Sequence, residues 1–135
     1  MPRSIIVSLP VIDLDASARF YSALGFVHSP QWSDDTAAHF VWSETISVML
    51  LTQTKWQTFT TRPIPLPTSS EVALGLSCES RAMVDAMNDA AAAHGGVADV
   101  NPVQDHGFMY GRDLMDPDGH VWAPMWMDPA AMASP

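Results

Sequence analysis

The sequence has a single cysteine, Cys78, in 135 residues, which excludes an internal disulfide framework and suits a reducing compartment. Cationic side chains are scarce as well: six Lys and Arg stand against fifteen Asp and Glu, a formal net charge of -9. Such a surface repels a phosphate backbone and an anionic bilayer, so neither nucleic acid nor a membrane surface is expected as a partner. No apolar run is long enough to span a bilayer, and Met1 to Pro10 has neither an uninterrupted apolar stretch nor a small-residue cleavage site. We therefore expect a cytoplasmic protein. What is present is a chain that is 47% hydrophobic, enough for a single domain over residues 1–135 with a real core, or for two small halves packed as one unit.

The strongest local signal is Asp116-Pro-Asp-Gly119. Pro117 suits the second position of a type I turn and Gly119 a positive φ, so the apolar and aromatic residues on either side should fold back as a β-hairpin. At the other end, Ile5 to Val11 reads as a strand, Asp13 as the cap of a helix from Leu14, and Gly25 as its stop. His39 to Trp42 and Ile46 to Leu51 follow as strands around a Ser43-Glu44-Thr45 loop. Thr52 to Ser70, with Pro63, Pro65 and Pro67 on alternate positions, reads as an extended linker. The plan then repeats: Glu71 to Cys78 as a strand, Ser80 as a cap, and a helix through His94 with Met83, Met87, Ala90, Ala91 and His94 on one face. Three more strands complete it. The expectation is an α+β fold of tandem βαβββ modules, 1–55 and 70–128, whose curved sheets form a cleft.

These elements carry a resemblance. The pattern Val-x-Asp-Leu-x-x-Ser-x-x-Phe-Tyr-x-x-Leu-Gly-Phe from Val11 to Phe26, with Asp-Pro-Asp-Gly before the last strand, resembles the vicinal oxygen chelate superfamily, which contains glyoxalase I, bleomycin-resistance proteins and extradiol dioxygenases. The run Asp105-His-Gly-Phe-Met-Tyr-Gly-Arg112, with Gly119-His-Val-Trp122 and Met125-Trp-Met-Asp128, is similar to a subgroup of predicted lactoylglutathione lyases. The resemblance implies the glyoxalase/bleomycin-resistance fold and a divalent-metal site drawn from four strands. Carried over by motif offset, those four positions are Ile6, Leu50, Ala73 and Ala123. None provides the His nitrogen or carboxylate oxygen that such metals take.

The residues alone say more about the cleft. In the strand through Cys78, Val72, Leu74 and Leu76 alternate with Ala73, Gly75 and Ser77, so a small-residue face is available to line a cavity. Together with Ile6, Leu50, Ala73 and Ala123, the positions that the resemblance implies, Ser8, Ser77 and Met125 make up the expected ligand-binding set, mostly apolar with a few polar groups. Among the histidines, His28, His39, His94 and His120 have ordinary surface or capping roles, whereas His106 between Asp105 and Gly107 competes as a general base or ligand contact with a satisfied loop histidine. Asp113 joins the cleft if a bulge at Gly119 sets Leu114 opposite Trp122; without the bulge, Arg112 and Tyr110 face it instead.

Two functions follow. One is a metal-free, cofactor-free protein, related to bleomycin-resistance proteins, that sequesters a small-molecule ligand, as a homodimer because neither half can cover its own concave sheet. The alternative is a lyase, isomerase or dioxygenase, lactoylglutathione lyase-like, using His106 with Asp113 or a divalent metal.

Overall fold

The computed structural model describes residues 2–132, so the ends of the expected 1–135 domain lie outside the described residues. The fold is α+β and comprises two compact units, one up to Leu66 and one from Pro67 onward.

The first unit is β1 (Ile5–Val11), α1 (Leu14–Leu24), β2 (Val27–His28), a 3-10 turn at Pro30–Trp32, β3 (Ala37–Ser43) and β4 (Ile46–Thr52). The Asp13 carboxylate accepts the Ala16 N–H at 3.1 Å, satisfying a helix-start donor, and Gly25 ends α1 at φ +108°. The sheet order is β1-β4-β3-β2, with β1 parallel to β4 and the other pairs antiparallel. Its core is aromatic: Phe20 and Tyr21 of α1 are fully buried, and the Tyr21 ring lies 5.4 Å from Phe26 and 6.3 Å from Phe40.

After β4 the chain departs from the expected extended arm. Thr52 Oγ1 accepts the Lys55 N–H at 3.2 Å and caps one helical turn, α2 (Gln53–Trp56), ahead of the prolines. The second unit is β5 (Ala73–Ser77), α3 (Arg81–Ala93), β6 (Gln104–Asp105), β7 (Met109–Gly111), β8 (Leu114–Met115), β9 (Val121–Met127) and α4 (Pro129–Met132). Ser80 Oγ caps α3 through the Met83 N–H at 3.1 Å. The buried face of α3 is Val84, Met87, Asn88 and Ala91, so Met87 and Ala91 lie where expected while Met83, Ala90 and His94 do not. Asn88 is buried because its side chain serves backbone: its amide donates to the Val84 and Arg112 carbonyls, and its oxygen accepts the Asp99 N–H.

The second sheet runs β5-β9-β7-β6, with β8 also on β9 and β5 parallel to β9. Leu114 pairs with Trp122 and Gly111 with Met125 in one register, so β7 and β8 are two stretches of a single strand line. The turn that sets this register is held by Asp116, whose buried carboxylate accepts the Asp118 and His120 N–H groups at 2.9 and 2.8 Å. Gly119 has φ +91°, and a Cβ there would lie 2.8 Å from Pro67 Cα. Only glycine fits both demands. Both sheets are mixed and open.

Candidate functional site

Each unit lays its long helix, α1 or α3, against one sheet face and leaves much of the other without that cover. In the first unit the rows Val7-Val48-Phe40 and Leu9-Leu50-Ala38 fall on one side, and Leu9, Ala38, Phe40, Val48 and Leu50 are all buried. The opposite side carries Ile6-Ser47-Val41 and Ser8-Met49-His39, which are exposed or half-buried, and then Pro10-Leu51-Ala37, where Pro10 and Leu51 are buried. Leu50, expected to line the cleft, is instead a core residue with 0% exposure. Met49 takes its place beside Ser8, because a one-residue offset along a strand exchanges the faces.

In the second unit Leu76, Leu114 and Trp122 are buried and lie on the same side of the sheet. The open side carries Ala73-Val121-Met115, Gly75-Ala123, and Ser77-Met125-Gly111, with Met109 opposite Met127. Continuing the β7 to β8 register places Asp113 opposite Ala123. The geometry therefore follows the bulged alternative, with Tyr110 and Arg112 turned to the helix side. Asp113 Oδ2 accepts a hydrogen bond from Asn101 Nδ2 at 2.9 Å.

The two modules correspond position by position. Ser8 and Gly75 sit the same distance ahead of the helix caps Asp13 and Ser80. Reading across the sheets from these two residues, Ile6 matches Ala73, Met49 matches Ala123, and His39 matches Asp113. The strand positions at which a metal is implied are thus Ile6, Met49, Ala73 and Ala123. Three hydrocarbons and one thioether do not suit a zinc, nickel, iron or manganese ion of the kind expected, which takes imidazole or carboxylate. Among the described residues no three His, Cys, Asp or Glu side chains gather where they could hold a metal ion. The residues do not fit the implied metal.

His106 is exposed in the loop between β6 and β7, its Nε2 3.1 Å from Gln104 Oε1 and its ring beside Phe108. The structure does not bring it into the row of Asp113. Its neighbours in the Asp105-to-Arg112 run serve the helix side. Arg81 on α3 donates to both Asp105 carboxylate oxygens at 3.0 and 2.9 Å and lies over the Tyr110 and Trp126 rings. Arg81 and the Gly107 N–H hold the Asp105 carboxyl down to about 2. The Tyr110 hydroxyl donates to Asp85 at 2.6 Å; Arg112 donates to the same carboxylate at 2.9 Å and to both oxygens of Asp99 at 2.8 Å. Asp85 is held below its ordinary value by the Tyr110 hydroxyl and then Arg112, Asp99 by Arg112. Reciprocally the Tyr110 hydroxyl is pushed up by Asp85 and the Arg112 guanidinium by Asp99. This motif ties β6 and β7 to α3.

Cys78 is buried with its Sγ 3.8 Å from Met87 Sδ, and burial pushes its thiol up, as an unreactive thiol requires. The polar residue that the sequence did not reveal is His39. It lies on the open face of β3 between Ala37 and Val41, and its Nδ1 is enclosed without a hydrogen-bond partner among the described residues.

Tandem βαβββ units with open mixed sheets, α1 and α3 each covering one sheet face, define the class of protein. Residues 5–123 match the family model of the glyoxalase/bleomycin resistance protein/dioxygenase superfamily, and the chain belongs to that superfamily. It is similar to the solved structure of a hypothetical protein from S. aureus, with 26% identity, a TM-score of 0.76, and coverage of 93% of this chain and 95% of that one. A glyoxalase-related enzyme from Fulvimarina pelagi has 20% identity and a TM-score of 0.75, covering 93% and 88%. A glyoxalase/bleomycin resistance protein/dioxygenase family enzyme from Burkholderia phytofirmans PsJN has 14% identity and a TM-score of 0.74, covering 90% and 96%. A comparison with curated proteins found no match. No helix among the described residues is long and apolar enough to cross a membrane.

Proposed function

We propose that this protein binds a small, partly apolar, neutral or cationic molecule on its open sheet faces without a metal or other cofactor, as a sequestering or resistance protein. The observation that carries this reading is the chemistry of Ile6, Met49, Ala73 and Ala123, hydrocarbons and a thioether where the superfamily's metal ligands are expected. Apolar faces of this kind, with Ser8 on the first unit's sheet and Ser77 and Asp113 on the second unit's as orienting groups, are how small-molecule sites are usually built. Met109, Met115, Met125 and Met127 add adaptable, polarizable surface on the same face as Ala123. The net charge of -9 favours cations over anions.

The protein works in the cytoplasm as a homodimer on this reading, a second copy covering exposed apolar side chains around the bound molecule, Ile5 and Val27 among them, which are 60% and 66% exposed in one chain. A second reading, a lactoylglutathione lyase-like or dioxygenase-like enzyme, is favoured only by Asp113, an ionisable group in the row of Ala123. A glutathione conjugate would bring carboxylates to a chain with six Lys and Arg. The test is a thermal-shift screen with aromatic and cationic small molecules on wild type and Ala123→Trp. Hits that the indole abolishes support the reading. Hits unchanged in Ala123→Trp, or turnover of methylglyoxal with glutathione in a metal-verified sample, overturn it.

A further inference from the structure

We propose that His39 is the recognition residue of the first unit's open face, and that its ligand is an apolar molecule carrying a hydroxyl or N–H donor. The inference rests on the small-molecule reading above and adds the group that selects the ligand.

Three observations converge on His39. Its ring lies in the row Ser8-Met49-His39, on the side of the sheet away from α1. Across the described strands of that face, Ile6, Ser8, Ser47, Met49, Ala37, Val41 and Val27 offer no other ionisable side chain. The duplication places Asp113 at the matching position of the second unit, so each open face carries an ionisable side chain at the same place. Finally, His39 Nδ1 is buried with no partner among the described residues, an unmet hydrogen-bonding group that a ligand's donor would satisfy.

The backbone around His39 is already committed. Its N–H donates to Ser33 Oγ at 3.0 Å and its carbonyl accepts the Ser29 N–H at 2.8 Å, so the strand that aims the ring is fixed on both sides. His28 does not relay to it: Ser33 Oγ gives its proton to the Ser29 carbonyl at 2.8 Å, which makes His28 Nε2, 3.1 Å away, a donor. A proton on His39 Nδ1 would be a buried donor with no acceptor, so the neutral ring carries it on Nε2 and Nδ1 is an acceptor. What completes it is a donor on an apolar body. Met49, the half-buried neighbour across the strand pair, has the rotatable bonds to adapt to such a body.

The experiment titrates the full chain with 2-naphthol and 2-methoxynaphthalene, which share a body and differ in the donor, while the Nδ1 resonance of His39 is followed in long-range proton–nitrogen spectra. Wild type should bind the naphthol ~5- to 10-fold more tightly than the ether, with the Nδ1 resonance moving only for the naphthol. His39→Asn, whose side-chain oxygen falls near the Nδ1 position, should keep the preference, and His39→Phe should bind both compounds equally. Equal binding by wild type with an unmoved Nδ1 resonance, or a preference that survives His39→Phe, overturns the proposal while leaving small-molecule binding intact. Failure of both compounds to bind wild type overturns the proposal together with the reading beneath it. If His39→Phe does not fold, the wild-type preference and the Nδ1 resonance decide.

Discussion

Truncating Leu50 and Met49 in turn separates the two faces of β4, on which the site rests. Leu50 has 0% exposure and lies among Leu9, Ala38, Phe40 and Val48, all buried. Leu→Ala at such positions costs about 2–5 kcal/mol, the transfer of the lost carbons plus the cavity left when neighbours cannot collapse. These neighbours sit on hydrogen-bonded strands beneath α1, so we expect a value near the middle, about 3 kcal/mol. Met49 is only partly covered, so Met49→Ala forfeits a fraction of a full burial, about 0.5–1 kcal/mol. With a urea dependence of about 2 kcal/mol per molar, the midpoint of the first unit's transition should fall by about 1.5 M for Leu50→Ala and by under about 0.5 M for Met49→Ala. Urea unfolding followed by circular dichroism reads both. A larger loss for Met49→Ala than for Leu50→Ala would mean that the strand is turned over, and that Leu50 belongs to the ligand face after all.

Two further outcomes follow from the second unit. Arg112→Met should cost about 1–2 kcal/mol at pH 7, a buried-pair penalty discounted because its partners Asp85 and Asp99 are 47% and 37% exposed. Both carboxyls are lowered in the folded state, so their contribution is whole above the unfolded-state value of about 3.9 and is lost as pH falls through the folded values. Urea midpoints of variant and wild type should therefore converge below about pH 4, and a gap that widens in acid refutes the pairing. Gly119→Ala should lower stability by about 1–3 kcal/mol through its positive φ and its approach to Pro67. An unchanged melting temperature would mean that the turn and the Pro67 segment are not packed as described.

The parts of the fold that were legible have local causes. Asp13 and Gly25 bracket α1 with side-chain and backbone chemistry that needs no distant partner, and Asp116-Pro-Asp-Gly119 folds its flanking strands back on each other by the turn alone, although which of two registers they take did not follow from it. The face of β4 was not legible, because Ile46-Ser-Val-Met-Leu-Leu51 is apolar on both sides of its register and only the parallel pairing with β1 decides which residues point where. The same holds for His39: β3 begins at Ala37, so a histidine that reads as the edge of a polar loop is a strand residue with a face. On α3, Met83 and Ala90 look better buried than Asn88 until the Val84 and Arg112 carbonyls and the Asp99 N–H are known to need it. The Asp105-to-Arg112 run was visible as a pattern, but its use in tying α3 to the sheet depended on Arg81, Asp85 and Asp99, which lie outside it.

The central claim is that the open faces bind small molecules without a metal, and elemental analysis of the chain purified with neither chelator nor affinity tag tests it most directly. With Ile6, Met49, Ala73 and Ala123 at the implied ligand positions, zinc, nickel, iron and manganese should each be present far below one equivalent per chain. A full equivalent of any of them, retained by residues on β1, β4, β5 or β9, would contradict the account.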